Sequence, residues 1–488
     1  QDAETDPEEA GEAGAHVRKQ AGCCEVDAKM TEPCLDERDI DNLTRIVGRE
    51  RISRGESVRF LHSHDESFHK PCLPEVVLWP HSTDEVSRIV AHAFRRRIPV
   101  TPWGAGSSLE GNPIPVFGGI VLDFQEMNRV LAVRPEDFQA DVEAGVVYKE
   151  LNRILEAEGL FFPPDPGAAA TVGGMIGNNA SGIRSVRYGA TRDYVMRLTT
   201  VLSDGQVIRT GSRSRKCSSG YDLCRLFTGA EGTLGIVTEA TLKLAGLPAA
   251  FMAVRATFPT LGHATRTVFE IMRSGITPGA MEFLDRDIVA VLNRDRGLRL
   301  EESPTLLMEF SGYSERGLED EMCFVSEICR DNGCILLDRG IGPEERKLLW
   351  EIRHLTHESI RRTHPGLKSL SMDVAVPLSR YSELVALIKE LVAGLTAYIF
   401  GHAGDGNIHV VVMDDPEDES RWARVEAAHS RVVSSALDFE GTCTGEHGIG
   451  LGKKKFMARE HGESLETMKK IKELLDPRGI LNPGKMFP

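Results

Sequence analysis

Between Val76 and Val100 the hydrophobic pattern changes period twice. Val76-Val77-Leu78-Trp79 reads as a strand, and Ser82-Thr83-Asp84-Glu85 follows as a capping-box signature. Val86, Ile89, Val90 and Ala93 then recur at helical spacing. Ile98-Pro99-Val100 predicts a short second strand running into Thr101-Pro102-Trp103-Gly104. A strand–helix–strand unit of this kind is α/β in character. Leu151, Ile154 and Leu155 form another helical stripe, which Gly159 closes. Runs at Leu198–Leu202, Gln206–Ile208 and Gly235–Leu244 predict strands.

The texture changes after Leu247-Pro248. A strand at Ala253–Phe258, a helix near His263–Arg273, a strand at Thr305–Phe310 and a helix near Gly317–Asn332 suggest a separate, smaller domain. The expected division is a tail over 1–38, a first domain over 39–247, a second over 248–455, and a C-terminal helix and turn over 456–488. The tail is expected to be disordered, because its first twelve residues hold six acids, no base and no apolar period.

A net charge of −15 argues against a general nucleic-acid binder. No apolar run approaches the roughly 20 residues of a membrane-spanning helix, and no signal or transit pattern opens the chain. The ten cysteines form no CxxC and are irregularly spaced, which predicts reduced thiols. Cys443 is expected to be a packed thiol rather than a metal ligand. The Arg95-Arg96-Arg97 run reads as a solvated helix end.

Two strings carry the candidate chemistry. Gly401-His402-Ala403-Gly404-Asp405-Gly406-Asn407-Ile408-His409 and Gly445-Glu446-His447-Gly448 offer imidazoles and a carboxylate among glycines. Two His and one carboxylate make a three-point metal site with coordination positions left open. His402, His409 and Glu446 are the expected ligands, and Zn or Mn the expected ion. His447, beside a ligand, is placed to act as a general base; the alternative is a hydrogen-bonded structural histidine.

Glycine clusters form the other signal. Pro102-Trp103-Gly104-Ala105-Gly106-Ser107-Ser108-Leu109-Glu110-Gly111 follows a predicted strand and suits a pyrophosphate, although a plain tight turn is the alternative for this string alone. The Rossmann fingerprint fails, because Leu109 stands where its third glycine belongs. Further clusters follow at Asp165–Gly167, Gly173–Gly182, Ser185–Gly189 and Gly229–Val237. Small residues gathered in separate loops suggest backbone pressed against a large flat ligand.

These clusters in this order resemble the flavoprotein family of vanillyl-alcohol oxidase type. With His402–His409 and Glu446-His447 the chain resembles its D-2-hydroxy-acid dehydrogenase branch, over about residues 55–488. That branch holds cytochrome-linked D-lactate dehydrogenases, D-2-hydroxyglutarate dehydrogenases and glycolate oxidase flavin subunits. The resemblance implies an α/β (α+β) fold, with FAD bound across a two-subdomain domain and a smaller α+β substrate domain carrying the metal. It makes Pro102, Gly104, Ala105, Gly106, Ser107, Ser108 and Gly111 the pyrophosphate loop. Pro166, Gly167, Gly173, Gly174, Gly177, Asn178, Ser181 and Gly182 are expected to line the flavin, with Gly232, Ile236 and Val237 on its flank and Asn482 reaching the ring. Many relatives tether FAD through a histidine in or near this loop; none stands here, so non-covalent FAD is expected.

The same resemblance makes Arg353 and Lys368 anchors for the substrate carboxylate, with surface charge as the alternative for each. Relatives acting on 2-hydroxyglutarate place Asn where this chain has Val411, which favours a small substrate such as D-lactate; His357 leaves room for a more polar one. The electron acceptor is expected to be a quinone, a cytochrome or an electron-transfer flavoprotein. Peripheral membrane contact and a homodimer are compatible with the resemblance. It also implies a cytoplasmic protein in a bacterium or a mitochondrial one in a eukaryote, not a secreted one. The runner-up activities are D-2-hydroxyglutarate dehydrogenase and glycolate oxidase flavin subunit. From another class comes a flavin-binding relay subunit of a larger redox assembly, for which the chain carries no Fe–S cysteine set.

Overall fold

The computed structural model describes residues 35–341 and 343–488. The acidic segment before residue 35, with Cys23, Cys24 and Cys34, lies outside them. Helix Glu37–Val47 begins two residues ahead of the expected onset at Asp39, because Asp36 and Asp39 cap it reciprocally through each other's backbone N–H.

Four strands form a mixed sheet in the order Ile52–Ser53, Val76–Leu78, Ile120–Asp123 and Val100–Trp103. The last three run parallel. Helix Thr83–Arg96 packs on this sheet through Val86, Ile89, Val90 and Ala93. Ser82 caps it as expected, but Glu85 does not close the box. The Glu85 carboxylate instead binds Arg51 at 2.6 and 2.9 Å and the N–H of His81 at 2.8 Å. Arg95, Arg96 and Arg97 are exposed at the helix end. The strand expected at residues 98–100 runs Val100–Trp103 instead. Pro99 has no N–H to give a ladder, whereas Val100 donates to Ile480 at 2.8 Å and accepts from Asn482 at 2.8 Å. Pro102 is tolerated because the strand lies at the sheet's edge.

A five-stranded antiparallel sheet follows, ordered Val130–Arg134, Gln139–Glu143, Ile236–Lys243, Val195–Val201, Val207–Gly211. Helix Tyr148–Leu155 covers it with Leu151 and Leu155. Ile154, expected in the same stripe, is half exposed.

Seven antiparallel strands make the third sheet: Leu336–Ile341, Ala250–Thr257, Thr305–Gly312, Ala280–Leu284, Ala397–His402, Asn407–Asp414 and Lys368–Ala375. Helices Leu261–Arg273, Glu315–Asp331, Leu378–Leu391 and Glu419–Asp438 pack on one face. Strand residues alternate between faces. Ile408, Val410 and Val412 therefore enter that helix-backed core, while Val411 and Met413 join a smaller apolar cluster with Tyr398 and Phe400. His409 shares the parity of Val411, and Asp373 stands opposite it. No helix among the described residues is long and apolar enough to cross a membrane. Cys72, Cys217, Cys224, Cys323, Cys329, Cys334 and Cys443 are free thiols. Cys443 is buried, and burial pushes its thiol up.

Candidate active site

Both glycine-flanked histidines lie on one hairpin, strands Ala397–His402 and Asn407–Asp414 joined by a single turn. The turn needs its glycines. A Cβ on Gly401 would stand 2.4 Å from the Asn407 carbonyl, and Gly406 has φ +78° with the Val376 carbonyl 2.1 Å from its would-be Cβ. The hairpin sets the His402 and His409 rings edge to face, 5.0 Å between centroids.

Glu446 arrives on an irregular loop that Asp373 holds. The Asp373 carboxylate accepts the N–H of Glu446 at 2.9 Å, that of His447 at 3.0 Å and the Thr444 hydroxyl at 2.9 Å. Glu446 Oε1 then lies 3.0 Å from His402 Nε2 and 3.3 Å from His409 Nε2. The three expected ligands thus present one atom each within 4.8 Å of one another. Behind each imidazole stands a buried carboxylate: Glu282 Oε1 at 2.6 Å from His402 Nδ1, and Asp373 Oδ1 at 3.5 Å from His409 Nδ1. His409 Nδ1 is buried without a hydrogen bond. A carboxylate behind a ligating histidine is the usual outer shell of a metal site, so this donor set fits a divalent ion. Asp373, His409 and His447 form an overlapping second trio. Burial alone would lower the pKa of His402, but Glu282 and Glu446 outweigh it and hold the imidazole well above its ordinary value. Burial would raise Glu446, but His402 and His409 hold it well below the usual carboxylate range.

His447 stacks on His409, 5.2 Å between centroids with planes 9° apart. Burial pulls its pKa down to about 4, so the ring is neutral near pH 7. Its Nδ1 has no hydrogen bond; Glu110 lies 4.0 Å away. Arg353 gives its Nε to Glu282 Oε2 at 2.5 Å and lies over the Phe400 ring at 5.0 Å, which brings it to the cluster. Lys368 is not brought there. It is exposed at the start of strand Lys368–Ala375, opposite Asp414. Asp373 is five residues on, about 17 Å of strand away and on the other face.

A cleft of about 1340 Å³, counted to its open mouth, runs from the glycine loops to this cluster. Pro102, Gly104, Ala105, Gly106, Ser107 and Ser108 line it, as do Pro166, Gly173, Gly174, Gly177 and Asn178. Gly232, Ile236, Val237 and Asn482 complete the expected set on its wall, and Glu446 and His447 line it too. The N–H groups of residues 105–108 donate to no protein acceptor among the described residues, which leaves them for an anion. Four expected residues stand elsewhere. Gly111 gives its N–H to Asp65, and Gly167 accepts from Lys149. Gly182 packs on the Asp165 carbonyl, and Ser181 donates to Glu446 Oε2 at 3.0 Å, at the histidine cluster.

Sequence reasoning missed Glu231, Asn112, Glu282, Asp373 and Lys453. Glu231 lines the cleft while its carboxylate accepts the N–H groups of Ile449, at 2.6 Å, and Gly450. Asn482 Nδ2 ties the Asn112 and Glu231 carbonyls together at 3.0 and 2.8 Å. For Glu282 and Asp373 a signal existed: a lone acid inside an apolar strand must find a buried partner.

Residues 74–211 match the family model described as FAD binding domain, and residues 247–486 match that of FAD linked oxidases, C-terminal domain. The chain belongs to the FAD-linked oxidase family. It is an FAD-linked oxidoreductase. A probable mitochondrial D-lactate dehydrogenase of Danio rerio is 40% identical over 92% of each chain. The mitochondrial D-lactate dehydrogenase [cytochrome] of Arabidopsis thaliana is 41% identical over 88% of this chain and 76% of its own. Glycolate oxidase subunit GlcD of Bacillus subtilis is 36% identical over 92% and 96%. The fold is of the vanillyl-alcohol oxidase type. 4-Ethylphenol oxidase from Gulosibacter chungangensis superposes with a TM-score of 0.76 at 17% identity, over 92% of this chain and 96% of that one.

Proposed function

We propose that this oxidoreductase converts a D-2-hydroxy acid, D-lactate foremost, to the 2-oxo acid, using FAD and a Zn or Mn ion held by His402, His409 and Glu446. One observation carries the reading. Glu446 and His447 line the same cleft as the glycine loops, so the proposed proton acceptor and a proposed metal ligand stand on the wall of the cavity that would hold the redox cofactor.

FAD, when bound, supplies the two-electron acceptor. The divalent ion, when bound, supplies Lewis acidity toward the substrate hydroxyl. The remaining work falls to side chains. Neutral His447 takes the hydroxyl proton as general base. Arg353, fixed by Glu282 and Phe400, orients the substrate carboxylate through its free guanidinium edge. Lys368 is left out of this role by its place on the strand. Val411 is buried beside Tyr398 and Phe400, and an apolar residue at that position favours a methyl group over a second carboxylate. The Arabidopsis thaliana relative named above carries cytochrome in its name, which supports a cytochrome as acceptor ahead of a quinone or flavoprotein.

A second reading, a more polar acid such as D-2-hydroxyglutarate, is favoured by His357, whose buried Nε2 has no hydrogen bond. Anaerobic mixing with a panel of D- and L-2-hydroxy acids separates the two. D-lactate is expected to bleach the flavin fastest. Faster bleaching by D-2-hydroxyglutarate or glycolate would replace the substrate, and bleaching by L-lactate alone would overturn the stereochemistry.

A further inference from the structure

Glu282 is an acid in the middle of the apolar strand Ala280–Leu284, with no exposure to solvent. It stands directly opposite His402 on the neighbouring strand. Its two oxygens are divided between two different tasks. Oε1 takes His402 Nδ1 at 2.6 Å, and Oε2 takes Arg353 Nε at 2.5 Å. A neutral amide cannot serve both partners, since it has one accepting oxygen and presents N–H donors on the other side. The Phe400 ring under the guanidinium leaves Arg353 little freedom to turn away.

We propose that Glu282 is a positioning residue that fastens the metal ligand His402 and the carboxylate anchor Arg353 into one unit, so that metal binding and substrate binding are coupled. This rests on the metal and anchor roles proposed above. Coupling of this kind is reciprocal: whatever tightens the metal tightens the acid, and the converse.

The test is Glu282→Gln in the FAD-loaded full chain. Zn²⁺ affinity is measured by competition with a chromophoric chelator, and KM and kcat for D-lactate are measured at saturating Zn²⁺. The expected result is a 10–100-fold loss of Zn²⁺ affinity, the usual effect of removing an outer-shell carboxylate. KM should also rise about tenfold or more at saturating Zn²⁺, with FAD content unchanged. His402→Ala is the control. If it abolishes Zn²⁺ binding while Glu282→Gln binds Zn²⁺ normally, the inference is overturned. If neither variant changes Zn²⁺ binding, the metal reading itself fails and the inference goes with it. A Zn²⁺ loss with unchanged KM refutes the link to Arg353. Should Glu282→Gln not retain FAD, Arg353→Gln decides. Arg353 touches no metal ligand, yet it pins the carboxylate that does, so Zn²⁺ affinity should fall at least threefold; unchanged affinity overturns the coupling.

Discussion

Replacing Lys453 by Met tests how the loop bearing Glu446 and His447 is held. Lys453 is fully buried. Its Nζ donates to the Asp373 carbonyl at 2.8 Å and lies 3.6 Å from Asp373 Oδ2 and 3.2 Å from Glu110 Oε1. Burial pushes the Glu110 carboxyl up to about 8, even with Lys453 alongside. Asp373 is therefore the firm negative partner: burial would raise it, but His447, Lys453 and His409 keep it well below the usual carboxylate range. Removing one member of a buried ion pair costs about 3–5 kcal/mol. Asp373 would still accept from Asn407, Thr444, Glu446 and His447, so the low end, about 3 kcal/mol, is expected. Urea unfolding followed by release of flavin fluorescence reads the loss. Adding Asp373→Asn should cost less than Asp373→Asn does alone, since the charge left unpaired is then gone. A loss below about 1 kcal/mol, in the range of an exposed pair, or a double mutant that falls by the sum of both singles, would refute the account of the pair.

Acid precipitation should release FAD into the supernatant, because no histidine stands in residues 102–111; flavin that stays with the pellet would contradict non-covalent binding. Exhaustive chelation should abolish turnover with FAD retained, and a metal-free protein of full activity would remove the proposed metal role. His429 is buried with an unpartnered Nε2, and burial lowers its pKa from 6.5 to about 3. The unfolded chain therefore binds the extra proton between those values, and stability falls as pH drops through that window. Near pH 5 this one group contributes a slope of about 1.4 kcal/mol per pH unit. His429→Leu should flatten the pH profile of the unfolding free energy from urea titrations by that amount, and an unchanged slope would show that His429 charges equally in both states.

Much of the site was legible because it is local. The hairpin from Gly401 to His409 joins both imidazoles within one turn, and its glycines mark where backbone passes backbone. The glycine loops were legible for the same reason. Glu282 and Asp373 were not read, although each sits behind a histidine, because the pairing that brings them there spans distant strands whose order in the sheet does not follow the sequence. Lys368 shows the opposite failure. A basic residue at the right distance in sequence starts its strand on the wrong face, and parity cannot be known before register. Ile154 fits a helical period, yet half of it meets solvent because the covering face of that short helix is made by Tyr148, Leu151 and Leu155. The Ser82 cap was legible, while the partner of Glu85 was Arg51, thirty-four residues away.

His447→Asn tests the central claim most directly, through the anaerobic rate at which D-lactate bleaches the flavin. His447 is proposed as the proton acceptor and not as a metal ligand, so FAD and metal content should remain near those of the parent. The bleaching rate should fall by roughly 10²–10⁴-fold, the usual worth of a general base. A variant that bleaches at nearly the parental rate, or that loses its metal together with its activity, would contradict the account.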